Sequence, residues 1–284
     1  MMKILHLHKI NKNDFIIGFV FRNQLRKSVP NLLEGFSIFK KNNPSLSTKL
    51  LLHTHFSEGW NIRKLAGEYK VAESDILTTY ICKSCRDYSV RQFVGEDSEC
   101  PYCKNKACVT TNVSVGVTEI QLNEVYNLMD VYCHPFTSGG QEIPIQEAKL
   151  TELITLVTNY SCGEEMCEEA ANSLPLDWAE YREHGTEFIK ASTLPSSIAK
   201  QLQKVLDMDP SKKRDMEKGA RKWALDNFSA EVIGKVIEDF IDNAPFVENF
   251  TSQEKEKNSS YTHKKKNLHS TKNFHSLTSS KKTT

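Results

Sequence analysis

Cys82 and Cys85, then Cys100 and Cys103 after fourteen intervening residues, form two C-x2-C pairs. Each pair can turn two thiolates toward one point. Two such pairs supply the tetrahedral four-sulfur set that zinc takes, with Zn–S near 2.3 Å. Four thiolates leave no open coordination position, so a metal held this way is structural rather than catalytic. Disulfides or scattered free thiols are the alternatives. No secretory signal is evident, which favours a reducing, cytoplasmic setting and a metal. Cys108, Cys133, Cys162 and Cys167 make no comparable pattern, and Cys133 reads as a small buried hydrophobe.

A second set of residues suits an anion. Arg22 and Lys27 flank the loop after an apolar run, residues 15–21. Two cations there can clamp a pyrophosphate, arginine as a bidentate fork and lysine as a point charge. A solvated loop is the plainer reading. Further on, residues 134–148 read HPFTSGGQEIPIQEA. A strand ends, Gly139 and Gly140 turn the chain, and a helix starts near Pro144. Backbone N–H groups at such a start can hold phosphate or sugar hydroxyls. Glu147 falls in the first helical turn, where the helix dipole also favours a carboxylate.

These residues need a frame, and the pattern predicts an α/β one. Residues 15–21 and 49–53 read as buried parallel strands. Between them Leu32, Leu33, Phe36 and Phe39 share a helical face, with Ser28 as expected cap, Pro30 in the first turn and Asn42–Pro44 as the stop. That β-α-β unit implies a right-handed crossover. A polar helix is expected over 61–69, strands over 75–81, 131–134 and 153–158, and a helical face at Leu122, Val125, Tyr126 and Met129. Three helices should follow: one bearing Ile198, Leu202, Val205 and Leu206, one over 212–227, and one capped by Ser229. The alternation predicts a doubly wound, Rossmann-like parallel sheet.

Taken together, the motifs resemble the donor-binding C-terminal domain of GT-B glycosyltransferases, the group 1 or glycogen-synthase-like family. That family's first loop reads G-R-x4-K-G; here Arg22-x4-Lys27 keeps the spacing and Ser28 replaces the second glycine. Its acidic segment reads P-S-x-x-E-G-F-G-x-P-x-x-E-A; here Pro135 and Pro144-x2-Glu147-Ala148 match. The stretch ending at His134–Pro135 and the region from Trp223 to Phe240 are also similar, so the resemblance covers about residues 14–242. It implies that Arg22 and Lys27 neutralise a donor diphosphate, that Glu147 binds ribose hydroxyls, and that Gly140, Gln141 and Glu142 lie beside the transferred hexose. Gly139 would then stand where the family has its first glutamate. No catalytic metal is implied. The partner groups are a nucleotide-sugar, an unknown acceptor, and an N-terminal acceptor domain that a longer chain or a separate protein would supply, along with the catalytic residue.

By this reading residues 1–13 are a leader, 14–242 the nucleotide-sugar domain, 80–110 a zinc-ribbon insertion, and 251–284 a disordered tail. The tail holds eight lysines against two acids, which leaves 29 basic and 34 acidic residues in 1–250. A folded part with excess acid argues against a nucleic-acid surface, because phosphate binding needs clustered cations. Within the ribbon, Tyr88, Phe93 and Tyr102 are expected to form a small core. No run of about 18 apolar residues suggests a membrane span. Two other readings remain: a zinc-dependent protein- or RNA-interaction module without catalysis, and another doubly wound nucleotide-binding domain. The second lacks any G-x-G-x-x-G or P-loop string.

Overall fold

The computed structural model describes residues 10–112 and 114–245. The expected leader lies largely outside these residues, and the expected tail wholly so. The first strand, Phe15–Val20 (β1), leads through a 3-10 turn at Leu25–Lys27 into Val29–Asn42 (α1) and back to Thr48–His53 (β2). Ile62–Glu68 (α2) precedes Ile76–Cys82 (β3). Three short strands follow, Tyr88–Gln92 (β4), Ser98–Glu99 (β5) and Lys106–Thr110 (β6). Glu119–Tyr126 (α3), Val131–His134 (β7), Ile143–Leu150 (α4), Thr155–Thr158 (β8), Gly163–Met166 (α5) and Ser173–Leu176 (β9) come next. A hairpin, Trp178–Arg182 (β10) with Ile189–Thr193 (β11), precedes the helices Pro195–Leu206 (α6), Pro210–Phe228 (α7) and Ala230–Asp242 (α8).

Six strands run parallel in the order β3-β2-β1-β7-β8-β9. The chain therefore steps outward from β1 one way, then returns to β1's other side and steps the opposite way. Right-handed crossovers in opposite directions place α1 and α4 on opposite faces. Accordingly α1 packs on α6, while α4 packs on α7. The central strands are buried along most of their length because helices cover both faces; β7 and β8 are buried at every residue. Gly18 fits one close approach here, since a Cβ would lie 1.9 Å from the Met129 sulfur.

The cysteine segment joins this sheet. A strand has two edges. β4 lines one edge of β3 from Leu77 to Ile81, while β2 and β6 share the other, pairing at 76–78 and 80–82. Tyr102 does not enter the expected small core and is exposed; Phe93 does, and Tyr80 is the large ring buried with it. Ser28 precedes α1 as expected but caps nothing with its side chain, because its backbone is left-handed (φ 44°). Ser229 does cap, its hydroxyl accepting from Val232 N–H at 3.3 Å.

The chain divides into two compact units with the boundary after Ile233. In the second, Val236, Ile237, Phe240 and Ile241 are exposed on a helical segment.

Candidate functional site

In an open parallel sheet, ligands bind beyond the carboxyl ends of strands where the strand order reverses. That point lies between β1 and β7. A cleft of about 320 Å³ opens beside it, lined by Val20, Arg22, His53, Thr54, Thr111 and Pro144 among others. Its walls thus come from the ends of β1 and β2, the end of β6, and the start of α4.

Asn23 shapes this mouth. Its side-chain amide donates to the carbonyls of His55 (3.2 Å), Glu58 and Trp60 (2.9 Å), and its oxygen accepts from Trp60 N–H at 3.0 Å. One buried side chain therefore satisfies the loop after β2. Gly59 completes the fit. Its φ is +57°, and a Cβ would sit 2.1 Å from the Asn23 carbonyl oxygen.

The structure separates Arg22 from Lys27. Arg22 is exposed on the cleft wall, its Nε 3.6 Å from the Glu58 carboxylate. The 3-10 turn carries Lys27 inward, where it is only 3% exposed. There its ammonium pairs with the buried Glu142 carboxylate and lies 3.4 Å from His134 Nε2. Arg26 reaches the other Glu142 oxygen at 2.5 Å. His134 Nε2 is 3.1 Å from Glu142 Oε2, and its Nδ1 is 2.9 Å from the Tyr132 hydroxyl. The Tyr132 hydroxyl also donates to the Val20 carbonyl at 3.1 Å, so one phenol ties the imidazole to the end of β1.

Burial governs the titration of this corner. Desolvation pulls Lys27 below its usual value against the opposing attraction of Glu142. Desolvation also lowers His134 to about 4, despite the Glu142 hydrogen bond. For Glu142, burial pushes upward, but the His134 hydrogen bond and the Lys27 charge win and hold it well below the carboxylate range. Two cations against one carboxylate leave the corner with one net positive charge at neutral pH.

Gly139 and Glu142 belong to the same packing. A Cβ at Gly139 would meet Glu142 Oε1 at 2.7 Å. The Glu142 carboxylate thus fills the space a side chain at 139 would use. Ser161 fixes the turn, its hydroxyl donating to the Gly139 carbonyl at 2.7 Å. Gly140 and Gln141 are exposed. Glu147 is half-buried, accepting from the Tyr126 hydroxyl at 2.8 Å. It lines a neighbouring recess of about 270 Å³ that shares Leu122 with the cleft.

The four cysteines converge. Their sulfurs all lie within 4.8 Å of one another, with Cys82–Cys103 at 3.6 Å and Cys85–Cys100 at 3.7 Å. A disulfide would need about 2.05 Å. An ion bonded tetrahedrally at about 2.3 Å to each sulfur sets them about 3.8 Å apart, so the group could hold a metal ion. The two knuckles repeat each other. Arg86 N–H donates to the Cys82 carbonyl (2.9 Å) and Lys104 N–H to the Cys100 carbonyl (3.1 Å). Arg86 and Lys104 share a left-handed backbone, φ 65° and 64°. For Cys82, burial pushes the thiol up, but N–H groups of Cys85 and Ser84 outweigh it and bring it down to about 6.

Sequence reasoning missed Arg26, Asn23, Tyr132, His134 and the two cleft threonines. The pairing of Arg26 and Lys27 beside a turn was the one local signal available.

With this geometry in place, comparison with known structures is informative about the fold. The N-terminal domain of a Candida albicans trehalose-6-phosphate phosphatase superposes with a TM-score of 0.57 at 13% identity, covering 86% of this chain and 45% of that one. A Rickettsia africae glycosyltransferase gives 0.56 at 13%, covering 86% and 52%. The C-terminal domain of a group 1 glycosyl transferase from Francisella tularensis gives 0.51 at 10%, covering 80% of this chain and 93% of that domain. The chain therefore spans about half the length of the first two and nearly all of the third. At these identities the likeness establishes a shared fold. No family model matches the sequence, and no curated protein sequence does. No helix among the described residues is long and apolar enough to cross a membrane.

Proposed function

We propose that residues 14–242 are the nucleotide-sugar-binding half of a glycosyltransferase that moves a hexose from its donor to an acceptor. The observation that carries this is the cleft at the reversal of strand order, walled by Arg22 and adjoined by the Glu147 recess, in a fold shared with glycosyltransferase halves. Arg22 faces the donor diphosphate directly. Lys27 acts with Arg26 through the residual positive charge of the corner, which stabilises the diphosphate as it leaves. Glu147 binds the ribose hydroxyls. Gly140 and Gln141 border the sugar. The Glu142 carboxylate, seated in the side-chain space of Gly139, supplies the acid that position lacks. The acceptor and the catalytic group come from a separate half.

We also propose that the four cysteines hold structural zinc, which fits a reducing, cytoplasmic setting. The test of the donor role is calorimetry of the zinc-loaded chain with nucleoside diphosphates and their sugar conjugates. One nucleotide should bind, and Arg22→Ala should weaken it. Folded, metal-loaded protein that binds none of them overturns the reading.

A further inference from the structure

Buried polar side chains are almost always hydrogen-bonded, so each exception calls for an explanation. Among the described residues, Thr54 Oγ1 and Thr111 Oγ1 are buried without a partner, and both residues line the switch-point cleft. Thr54 is 2% exposed and Thr111 6%. Neighbouring threonines are not left this way. Thr110 donates to Glu96 at 2.5 Å, and Thr78 donates to the Leu52 carbonyl at 2.8 Å. The other unpaired buried atoms among the described residues are Arg91 Nε, Gln146 Nε2 and Gln201 Oε1, so both unpaired hydroxyls belong to the cleft.

The rest of the lining says what they await. Val20, Phe21, Val117, Leu122 and Pro144 give apolar walls, and at the rim the exposed Arg22 offers a cation held only loosely, 3.6 Å from the Glu58 carboxylate. Apolar walls suit the faces of a planar ring. Hydroxyls, which both donate and accept, suit its polar edge. A cation nearby suits an anionic substituent on the same ligand.

Thr111 directly follows β6, the strand that leaves the second cysteine knuckle. The insert also seats Thr54's loop. Phe56 stacks on Phe93 with ring centroids 4.0 Å apart, and Phe56 N–H donates to the Thr110 hydroxyl at 3.4 Å. We infer that the cysteine insert is part of the ligand site, and that the Thr54 and Thr111 hydroxyls read the polar edge of the nucleotide's heteroaromatic base. This rests on the donor reading above and adds to it the residues that select the base.

The experiment is titration calorimetry on the full zinc-loaded chain with UDP, CDP, ADP and GDP and the four parent nucleosides, alongside Thr54→Val, Thr111→Val and Thr111→Ser. Valine keeps the shape and removes the hydroxyl. For the nucleotide that the wild-type chain binds, each valine variant should raise Kd about tenfold, and by the same factor for its nucleoside. Thr111→Ser should stay near wild type. The ligand-free melting temperature of both valine variants should hold or rise, since an unpaired buried hydroxyl is being removed. Wild-type binding with unchanged Kd in both valine variants overturns this inference and leaves the donor reading standing. A clear drop in their ligand-free melting temperature also overturns it, by showing the hydroxyls to be internally paired. Failure of the wild-type chain to bind any of the eight compounds overturns both.

Discussion

The cysteine knuckles and the Lys27–Glu142–His134 corner each gather polar groups in a small space, but by opposite means. Each knuckle is built from five consecutive residues, with a reverse turn that places two sulfurs by local geometry alone. The corner draws on a turn after β1, the end of β7 and the approach to α4, so Arg26 and Lys27 lie 107 to 116 residues from the His134 and Glu142 groups they meet. A local device can be broken alone, whereas a long-range one fails together with the sheet that assembles it.

The largest effect should come from the knuckles. Structural zinc contributes about 10–16 kcal/mol of apparent binding energy in small zinc folds. Elemental analysis should find one zinc per wild-type chain, and Cys82→Ser or Cys100→Ser should abolish it. Hydrogen exchange should then rise in β4–β6 and stay low in β1, β7 and β8. Freshly reduced wild-type protein without metal would remove this side of the comparison.

Next is Lys27→Met, which removes the buried cation of Glu142 and leaves its carboxylate only Arg26 and His134. Breaking a buried pair by removing one partner costs about 3–5 kcal/mol. Denaturant unfolding should show that loss, and Lys27→Met combined with Glu142→Gln should recover part of it. Additive losses would mean that the two side chains are not coupled.

Acid should separate the regions further. An unfolded imidazole titrates near 6.5, whereas burial holds His134 and also His53 at about 4. Between those values the unfolded chain binds more protons, so this stability is full above pH 6.5 and is lost as pH falls toward 4. Glu142, held below its ordinary range, extends the loss below about 4.5 in the same direction. The melting temperature should fall steadily over this window, and His134→Gln should flatten part of the slope. An unaltered slope in that variant would assign the acid sensitivity elsewhere.

Gly59→Ala should be milder, about 1–3 kcal/mol, because it forces a left-handed alanine against the Asn23 carbonyl. Its thermal melt should shift while metal content does not. The smallest stability change belongs to Arg22→Ala. Its exposed 3.6 Å pair with Glu58 contributes at most about 1 kcal/mol. Any effect of that variant on nucleotide affinity is therefore read without a folding artefact.

The same contrast explains what the sequence made legible. Continuous apolar runs marked β1, β2 and β7, and the spacing of the cysteines marked the knuckles, because in both cases the signal is local. Residues 178–193 gave nothing. β10 is mostly exposed, and the residues that β11 buries are the small Ala191 and Thr193, so no apolar period-two pattern marks the hairpin. Arg22 and Lys27, with four residues between them, read as neighbours on one loop. The intervening 3-10 turn instead sends one to solvent and the other to the interior. Nor did any local pattern connect Lys27 with Glu142; only the parallel order of β1 and β7 brings them together.

Pro175 has a consequence at the far end of the sheet. It lies in β9, the last strand of the row, and proline has no N–H to offer a newcomer. Its carbonyl is already taken by the Gln201 amide at 2.9 Å. An open margin of this kind is where foreign chains add on and aggregates begin. Here the margin is blunted by a residue with nothing to donate and an acceptor already occupied, so recruitment of another strand at Pro175 is disfavoured.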